Sequence, residues 1–205
     1  MFDLLIKNAV IVTVDPDHHV YSNGYIAVNG NTIAAIGPME ALDENTQAVK
    51  IIDAKGKAVL PGLIDGHGHG GHCLTRTLGD QYADWDAMAE EIYFHYTDDD
   101  FWYAEAALAA AERLKFGITT GVSMIASTPR SDRLEILQAH FDGALKTGIR
   151  ELSGIGFSDG PWPKHPRVFE NGAFKVTTLT PEQIVENTEK AVKTMNGIHP
   201  RQFCI

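Results

Sequence analysis

The chain reads as an α/β protein, a small all-β unit leading into strands that alternate with amphipathic helices. Three features point there. Residues 1–58 carry short β-branched runs separated by turn signals, with no helical period. Beyond them, apolar strand-like runs alternate with stretches of helical spacing. At the junction, "VLPGLIDGHGHGGHCL" from Val59 to Leu74 sets histidines and glycines at the end of an apolar strand. Alternating β and α units imply a parallel sheet, and periodicity leaves an open sheet and part of a (β/α)8 barrel equally open.

Leu4 to Val14 is an apolar, β-branched strand closed by Asp15-Pro16. "YIAV", the turn Asn29 to Asn31 and "TIAAIG" form a hairpin, because Asn-Gly tolerates the positive φ of a tight turn. "VKIIDAKGKAVLPG" gives two further strands about a turn at Lys55-Gly56-Lys57. In the second half, Asp98 to Asp100 supply N-caps for a helix through Phe116, with Phe101, Ala104, Leu108, Ala111 and Leu114 on one face and Gly117 as its stop. "GITTGVSM" is a short buried strand. A second helix carries Leu134, Leu137, Phe141 and Leu145 and ends near Gly148, before the strand "IRELSGIGF". A third starts at Thr180 with Pro181 at N1 and Gln183 at N3, a capping-box arrangement, and runs to about Asn196. "RQFCI" begins another strand, giving about three and a half βα units.

Composition excludes several classes. The 205 residues are 44% hydrophobic and 21% charged, enough to bury a core and too apolar for a disordered tail. A net charge of −10, with no cluster of Lys or Arg, argues against nucleic acid and anionic membranes as partners and leaves small molecules. No apolar run reaches the ~18 residues of a membrane span, and "MFDLLIKNAV" lacks the features of a signal peptide, so a cytoplasmic protein is expected. Cys73 and Cys204 are too few for a disulfide framework and are expected to be reduced.

His67 and His69 end the apolar strand Ala58 to Ile64. In a regular strand the side chains at i and i+2 face one side, which is what two ligands of one metal require. Gly66, Gly68 and Gly70 leave room for a cation and a substrate near the backbone. Sites in parallel α/β folds gather at the carboxyl ends of strands, where these histidines lie. His72 is out of register and is read as a loop residue rather than a third ligand or a supporting group. His18, His19, His95, His140, His165 and His199 fall in turns or helices and are read as structural.

"DAKGKAVLPGLIDGHGH" resembles the N-terminal signature of the amidohydrolase superfamily. "LTRTLGDQYADWDAMAEEIY", "TDDDFWYAEAALAAAERLKFGITTGVSM" and "GIRELSGIGF" follow it in the order seen in the cytosine deaminase and atrazine chlorohydrolase branch. The resemblance implies a partial (β/α)8 barrel over residues 59–205, preceded by a β-sandwich-like unit over 1–58. It implies one divalent metal ion, zinc or iron, held in part by His67 and His69. It sets Arg76 and Trp85 in the loop after the first barrel strand, as substrate-pocket walls; a surface salt bridge for Arg76 and a packing role for Trp85 are equal alternatives. In the family the remaining ligands and the acid/base groups come from strands 5, 6 and 8, so they are expected beyond Ile205.

The implied reaction is hydrolysis of a carbon–nitrogen or carbon–halide bond, foremost the deamination of a nitrogen heterocycle. A binuclear hydantoinase- or deacetylase-type hydrolase is the alternative within enzymes, and a non-catalytic binding or assembly module the alternative outside them. The segment "SDGPWPKHPRVFENGAF" is read as a long loop whose Trp162, His165 and Phe169 line or cover the pocket, or form a plain surface excursion. The full-length enzyme is a possible homo-oligomer. The chain on its own is expected to be inactive and, with open sheet edges, to self-associate.

Overall fold

The computed structural model describes residues 1–81, 83–125, 130–156 and 160–204. Ser158 and Asp159, at the head of the segment read as a long loop, lie outside them, as do Phe157, Ile205 and the Cys204 side chain. The fold is mixed α/β and divides into two compact units, Met1–Pro61 and Gly62–Ile205.

The first unit is one sheet. β1 (Phe2–Val12) sits between β2 (Val20–Asn29), antiparallel to it, and β4 (Ala48–Asp53), parallel to it; β3 (Thr32–Pro38) pairs β2, and β5 (Ala58–Val59) pairs β1. The β2–β3 turn lies within the Asn29 to Asn31 stretch read from the sequence: Gly30 and Asn31 form its two-residue loop, with Gly30 at φ 57°. Ala9, Ile11, Ile26 and Ala54 form the unit's core.

The second unit is built on a four-stranded parallel sheet. β6 (Leu63–His69), β7 (Ile118–Met124), β8 (Arg150–Gly154) and β11 (Gln202–Cys204) lie in the order β11-β8-β7-β6. The joining helices are α2 (Asp99–Lys115), α3 (Leu134–Thr147) and α4 (Pro181–Met195). Their ends follow the expected chemistry. The Asp98 carboxylate accepts from Phe101 N at 2.9 Å, and Gly148 closes α3 at φ 94°. Thr180 and Gln183 form a reciprocal capping box, with Thr180 N donating to Gln183 Oε1 at 2.8 Å.

Three sequence expectations need correction. Trp85, placed by the resemblance in a loop, instead opens helix α1 (Trp85–His95), capped by Asp84 Oδ1 accepting from Ala87 N at 3.0 Å. The segment read as a long loop ends in a hairpin: β9 (Arg167–Glu170) and β10 (Ala173–Val176) pair antiparallel about Asn171-Gly172, both at positive φ, with Phe169 and Phe174 rings 5.0 Å apart. The buried face of α2 is offset from the expected one. Trp102, Glu105, Ala106, Ala109 and Ala110 are buried, whereas Ala104 and Ala111 are exposed. The reason is close approach to α3, where a Cβ on Gly143 would collide with the Tyr103 carbonyl, so Ala106 and Ala110 of α2 meet the partner helix, with Leu114 packed beside them.

The core gathers Ala89 and Tyr93 of α1, Trp102 of α2, Ile136, Leu137 and Phe141 of α3, and Ala191 and Met195 of α4. Trp102 is fully buried and its indole Nε1 donates to Thr97 Oγ1 at 3.0 Å. Trp102→Ala should therefore destabilise the chain by about 3–5 kcal/mol in urea unfolding. Trp102→Phe should lose less, because it keeps most of the apolar volume and forfeits mainly the hydrogen bond.

Candidate metal centre

The site grows from the carboxyl end of β6, where the His67 and His69 rings lie with centroids 5.1 Å apart and planes at 77°. Both side chains are exposed. Partial burial, and then the neighbouring His67, hold the His69 imidazole below its usual pKa of 6.5, so it is neutral at pH 7 with a lone pair to donate. His72 stacks on His69 at 5.5 Å, and its Nδ1 is 2.5 Å from the Tyr93 hydroxyl. Burial, followed by His69, lowers its pKa as well.

One carboxylate of α2 fixes the chain that follows this pair. The Glu105 carboxylate, fully buried, accepts from the backbone N–H of Cys73 and, at 2.7 Å, of Leu74, pinning the segment that follows the histidines. Burial raises its pKa against the pull of those two donors. The Cys73 thiol is likewise pushed up by burial and by Glu105, which keeps it protonated and unreactive.

Behind the strand lies a buried ionic cluster. The Arg113 guanidinium of α2 sits over Gly68 and Gly121, where a Cβ on Gly68 would collide with it and one on Gly121 would lie 3.3 Å from its Cζ. Its Nε donates to Asp65 Oδ2 at 3.2 Å, and its Nη1 lies 3.6 Å from Glu151 Oε2 on β8. Glu151 also pairs with His140 Nε2 at 3.3 Å and accepts from Ser153 Oγ at 2.8 Å. A carboxylate only accepts, so the Nε2 of His140 carries the donated proton. Burial opposes ionisation of Glu151, yet the His140 and Ser153 hydrogen bonds and the Arg113 charge outweigh it, leaving its pKa below the usual 4.5.

Of the other expected pocket residues, Trp85 contacts the histidine group. Arg76 is exposed and its Nη2 donates to Glu112 Oε2 at 2.7 Å, the salt-bridge alternative for that residue. Trp85 opens α1 and meets the His72 ring edge-on at 5.2 Å. Trp162 packs on Phe94, Leu179 and Ile184, His165 is exposed, and Phe169 lies in the β9–β10 hairpin. The hairpin segment is tied to α1 by Lys164 Nζ on Glu90 at 2.8 Å and by the Arg167 guanidinium over the Tyr96 ring at 5.5 Å.

The donor set suits a divalent ion in kind but not in number. Two exposed imidazoles, one of them held neutral, are borderline ligands, whereas even a catalytic zinc site uses three protein ligands. Among the described residues no three His, Cys, Asp or Glu side chains converge as a ligand set. Asp65, Glu105, Arg113 and Glu151 escaped the sequence reading. Only Asp65, inside the motif itself, carried a local signal; the other three act across more than 30 residues of chain or from a different strand.

Fold and site together define an α/β scaffold that presents a histidine pair at the carboxyl end of its first parallel strand. No family model matches the chain. It is 31% identical over 172 residues to the 5-methylthioadenosine/S-adenosylhomocysteine deaminase of Syntrophobacter fumaroxidans, covering 83% of this chain and 37% of that protein. Its fold matches an adenosine deaminase from Xanthomonas campestris with bound zinc, with a TM-score of 0.74 at 19% identity over 99% of this chain and 42% of the other. It also matches atrazine chlorohydrolase from Arthrobacter aurescens complexed with zinc and atraton, with a TM-score of 0.73 at 18% identity over 98% of this chain and 45% of the other. The chain is thus similar in sequence to a deaminase and in fold to zinc-bound hydrolases, and it spans less than half the length of these relatives.

The ionic cluster makes stability pH-dependent with a defined sign. The folded pKa of Glu151 lies below its unfolded value near 4.5, so its contribution is fully present above that pH and is lost as pH falls through the folded pKa. Urea unfolding of the wild type and of Glu151→Gln should show a stability gap at pH 7 that narrows below pH 4.5. A gap that stays constant on acidification would show that the Glu151 charge is not what holds the cluster.

Proposed function

We propose that the protein carrying this chain is a metal-dependent amidohydrolase that removes an exocyclic amino group from a nitrogen heterocycle by hydrolysis, with an aminopurine nucleoside as the foremost substrate class. The observation that carries the reading is the His67/His69 pair at the carboxyl end of β6, in a chain 31% identical to a deaminase of adenosine-type compounds. The four parallel strands are read as the first four of a (β/α)8 barrel over residues 59–205, and residues 1–58 as part of a composite β-sandwich domain. The partner is a small molecule, and the cellular setting cytoplasmic.

His67 and His69 would hold one divalent ion, zinc or iron, together with donors other than the two imidazoles. When bound, such an ion supplies Lewis acidity that brings the pKa of a water molecule toward neutrality. His69 contributes a neutral imidazole at working pH, and Glu105 keeps the Cys73–Leu74 backbone fixed beside the pair. His72 and Trp85 form an aromatic wall next to His69, suited to a flat heterocycle. Arg76 is assigned to the pocket rim and Trp85 to its wall. In the overall reaction water adds at the amino-bearing carbon, the carbon–nitrogen bond breaks, and ammonia leaves with the protons that water supplies.

The test is ammonia release from a panel of 5′-modified adenosines, other aminopurines, aminopyrimidines and triazines, using the full-length protein, its His67→Ala and its His69→Ala variants, all with zinc or iron replenished. Wild type should deaminate at least one member of the panel, and each variant should lose kcat as well as kcat/KM, because the activated water and not only substrate affinity is removed. A variant with near-normal kcat would refute the ligand assignment. Cleavage of cyclic amides or N-acyl amino acids, with no heterocycle turned over, would replace deamination by the hydantoinase- or deacetylase-type reading.

A further inference from the structure

Asp65 lies two residues before His67 and joins the histidine-bearing strand to the buried cation behind it. In an unbroken strand Asp65, His67 and His69 would share a face. Asp65 faces α2, where it meets Arg113, so a regular β6 would carry both histidines under that helix as well. The pairing with β7 shows why it does not. Asp65 is opposite Gly121 and Gly68 is opposite Ser123, three steps along β6 against two along β7. The extra residue makes a β-bulge. Gly68 thereby falls on the α2 side, against Arg113, and His69 turns to the other face in register with Met124.

One carboxylate fastens both ends of this arrangement. Asp65 Oδ1 accepts the His67 backbone N–H at 3.2 Å, inside the bulge. Asp65 Oδ2 takes Arg113 Nε at 3.2 Å and Nη2 at 3.1 Å, and Arg113, only 10% exposed, is anchored in turn beside Glu151. Two imidazoles act as one donor set only when both nitrogens reach about 2 Å from a common point, so small changes in strand register matter to them far more than to the surrounding core.

We propose that Asp65, braced by Arg113, is the positioning residue that fixes the bulge and so sets the spacing of His67 and His69 for a divalent cation. The inference rests on the reading of those two histidines as metal ligands. Asp65 touches neither cation nor substrate; it acts through the backbone of His67.

The experiment is an equilibrium Zn²⁺ titration of the metal-free full-length protein by competition with a chromogenic chelator. Wild type, Asp65→Ala, Asp65→Asn, His67→Ala and His69→Ala are compared, with a melting temperature for each and the His67 backbone amide resonance recorded without metal. Asp65→Ala should bind Zn²⁺ about tenfold more weakly than wild type and shift the His67 amide. Asp65→Asn keeps a carbonyl oxygen for the His67 N–H and should recover most of the affinity, even though its weaker pairing with Arg113 lowers the melting temperature. If Asp65→Ala does not fold, Arg113→Lys takes its place, since it keeps a charge near Glu151 but loses the two-nitrogen grip on Asp65; weaker Zn²⁺ binding is again expected. Zn²⁺ affinity that falls in His67→Ala and His69→Ala but stays at the wild-type level in the Asp65 or Arg113 variants overturns the inference and leaves the ligand reading standing. Zn²⁺ binding that is absent from wild type, or unaffected by either histidine variant, overturns both.

Discussion

The structure of the second unit turns on one buried guanidinium. Arg113 leaves α2 for the back of the sheet, lies against two glycines, and meets carboxylates from β6 and β8 at once. Burying such a charge alone would cost several kcal/mol, and the two opposing carboxylates offset that penalty only while both stay ionised and in place. That condition explains the environment of Glu151, whose buried carboxylate is supported by His140 and Ser153 in addition to the arginine. It also explains the glycines: a side chain at residue 68 would take the space of the guanidinium, and one at residue 121 would press on it. An apolar residue of similar volume would fill the layer at less electrostatic cost but could not specify strand register, whereas a planar ion with donors on three nitrogens does.

Much of the second unit was legible in the sequence because its signals are local. The Thr180 and Gln183 capping box, Asp98 before α2, and Gly148 after α3 act within one helical turn, so residue type and spacing suffice. Two local signals were present and passed over. Asp84 caps α1 as Asp98 caps α2, and Asn171-Gly172, both at positive φ, form a two-residue hairpin loop of the kind an Asn-Gly pair marks. The offset face of α2 is a different kind of miss. Glu105 is buried because it caps a backbone segment more than 30 residues earlier in the chain, and no helical period marks a charged residue as interior.

The histidine pair was legible as a pair, though by a shorter route than the one the structure takes. Spacing i, i+2 brings two side chains together in any strand, and the rings do lie side by side. Spacing does not say which face they take. That depends on the bulge between Asp65 and Gly68, on β7 across from it, and on an arginine 48 residues from Asp65. The glycines of "GHGHGG" thus have separate reasons. Gly68 makes room for Arg113, and Gly70 for Ser123, with which a Cβ there would collide; both clearances lie on the helix side rather than toward a ligand.

The two faces of the sheet consequently differ in what they do. Toward the helices, Asp65, Glu151 and Ser153 alternate with glycines and hold a network of charge that fixes register. On the opposite face, His69 shares its side with Ile64, Val122, Leu152 and Phe203, of which Ile64 is 75% and Phe203 40% exposed. The bulge is the device that permits the division. It lets one short strand place a carboxylate in the network on one side and, two and four residues later, two imidazoles at the carboxyl end of the sheet outside that network. Without the extra residue the motif's Asp and His side chains would compete for a single face. The buried cation would then face two imidazoles in place of a clear glycine floor.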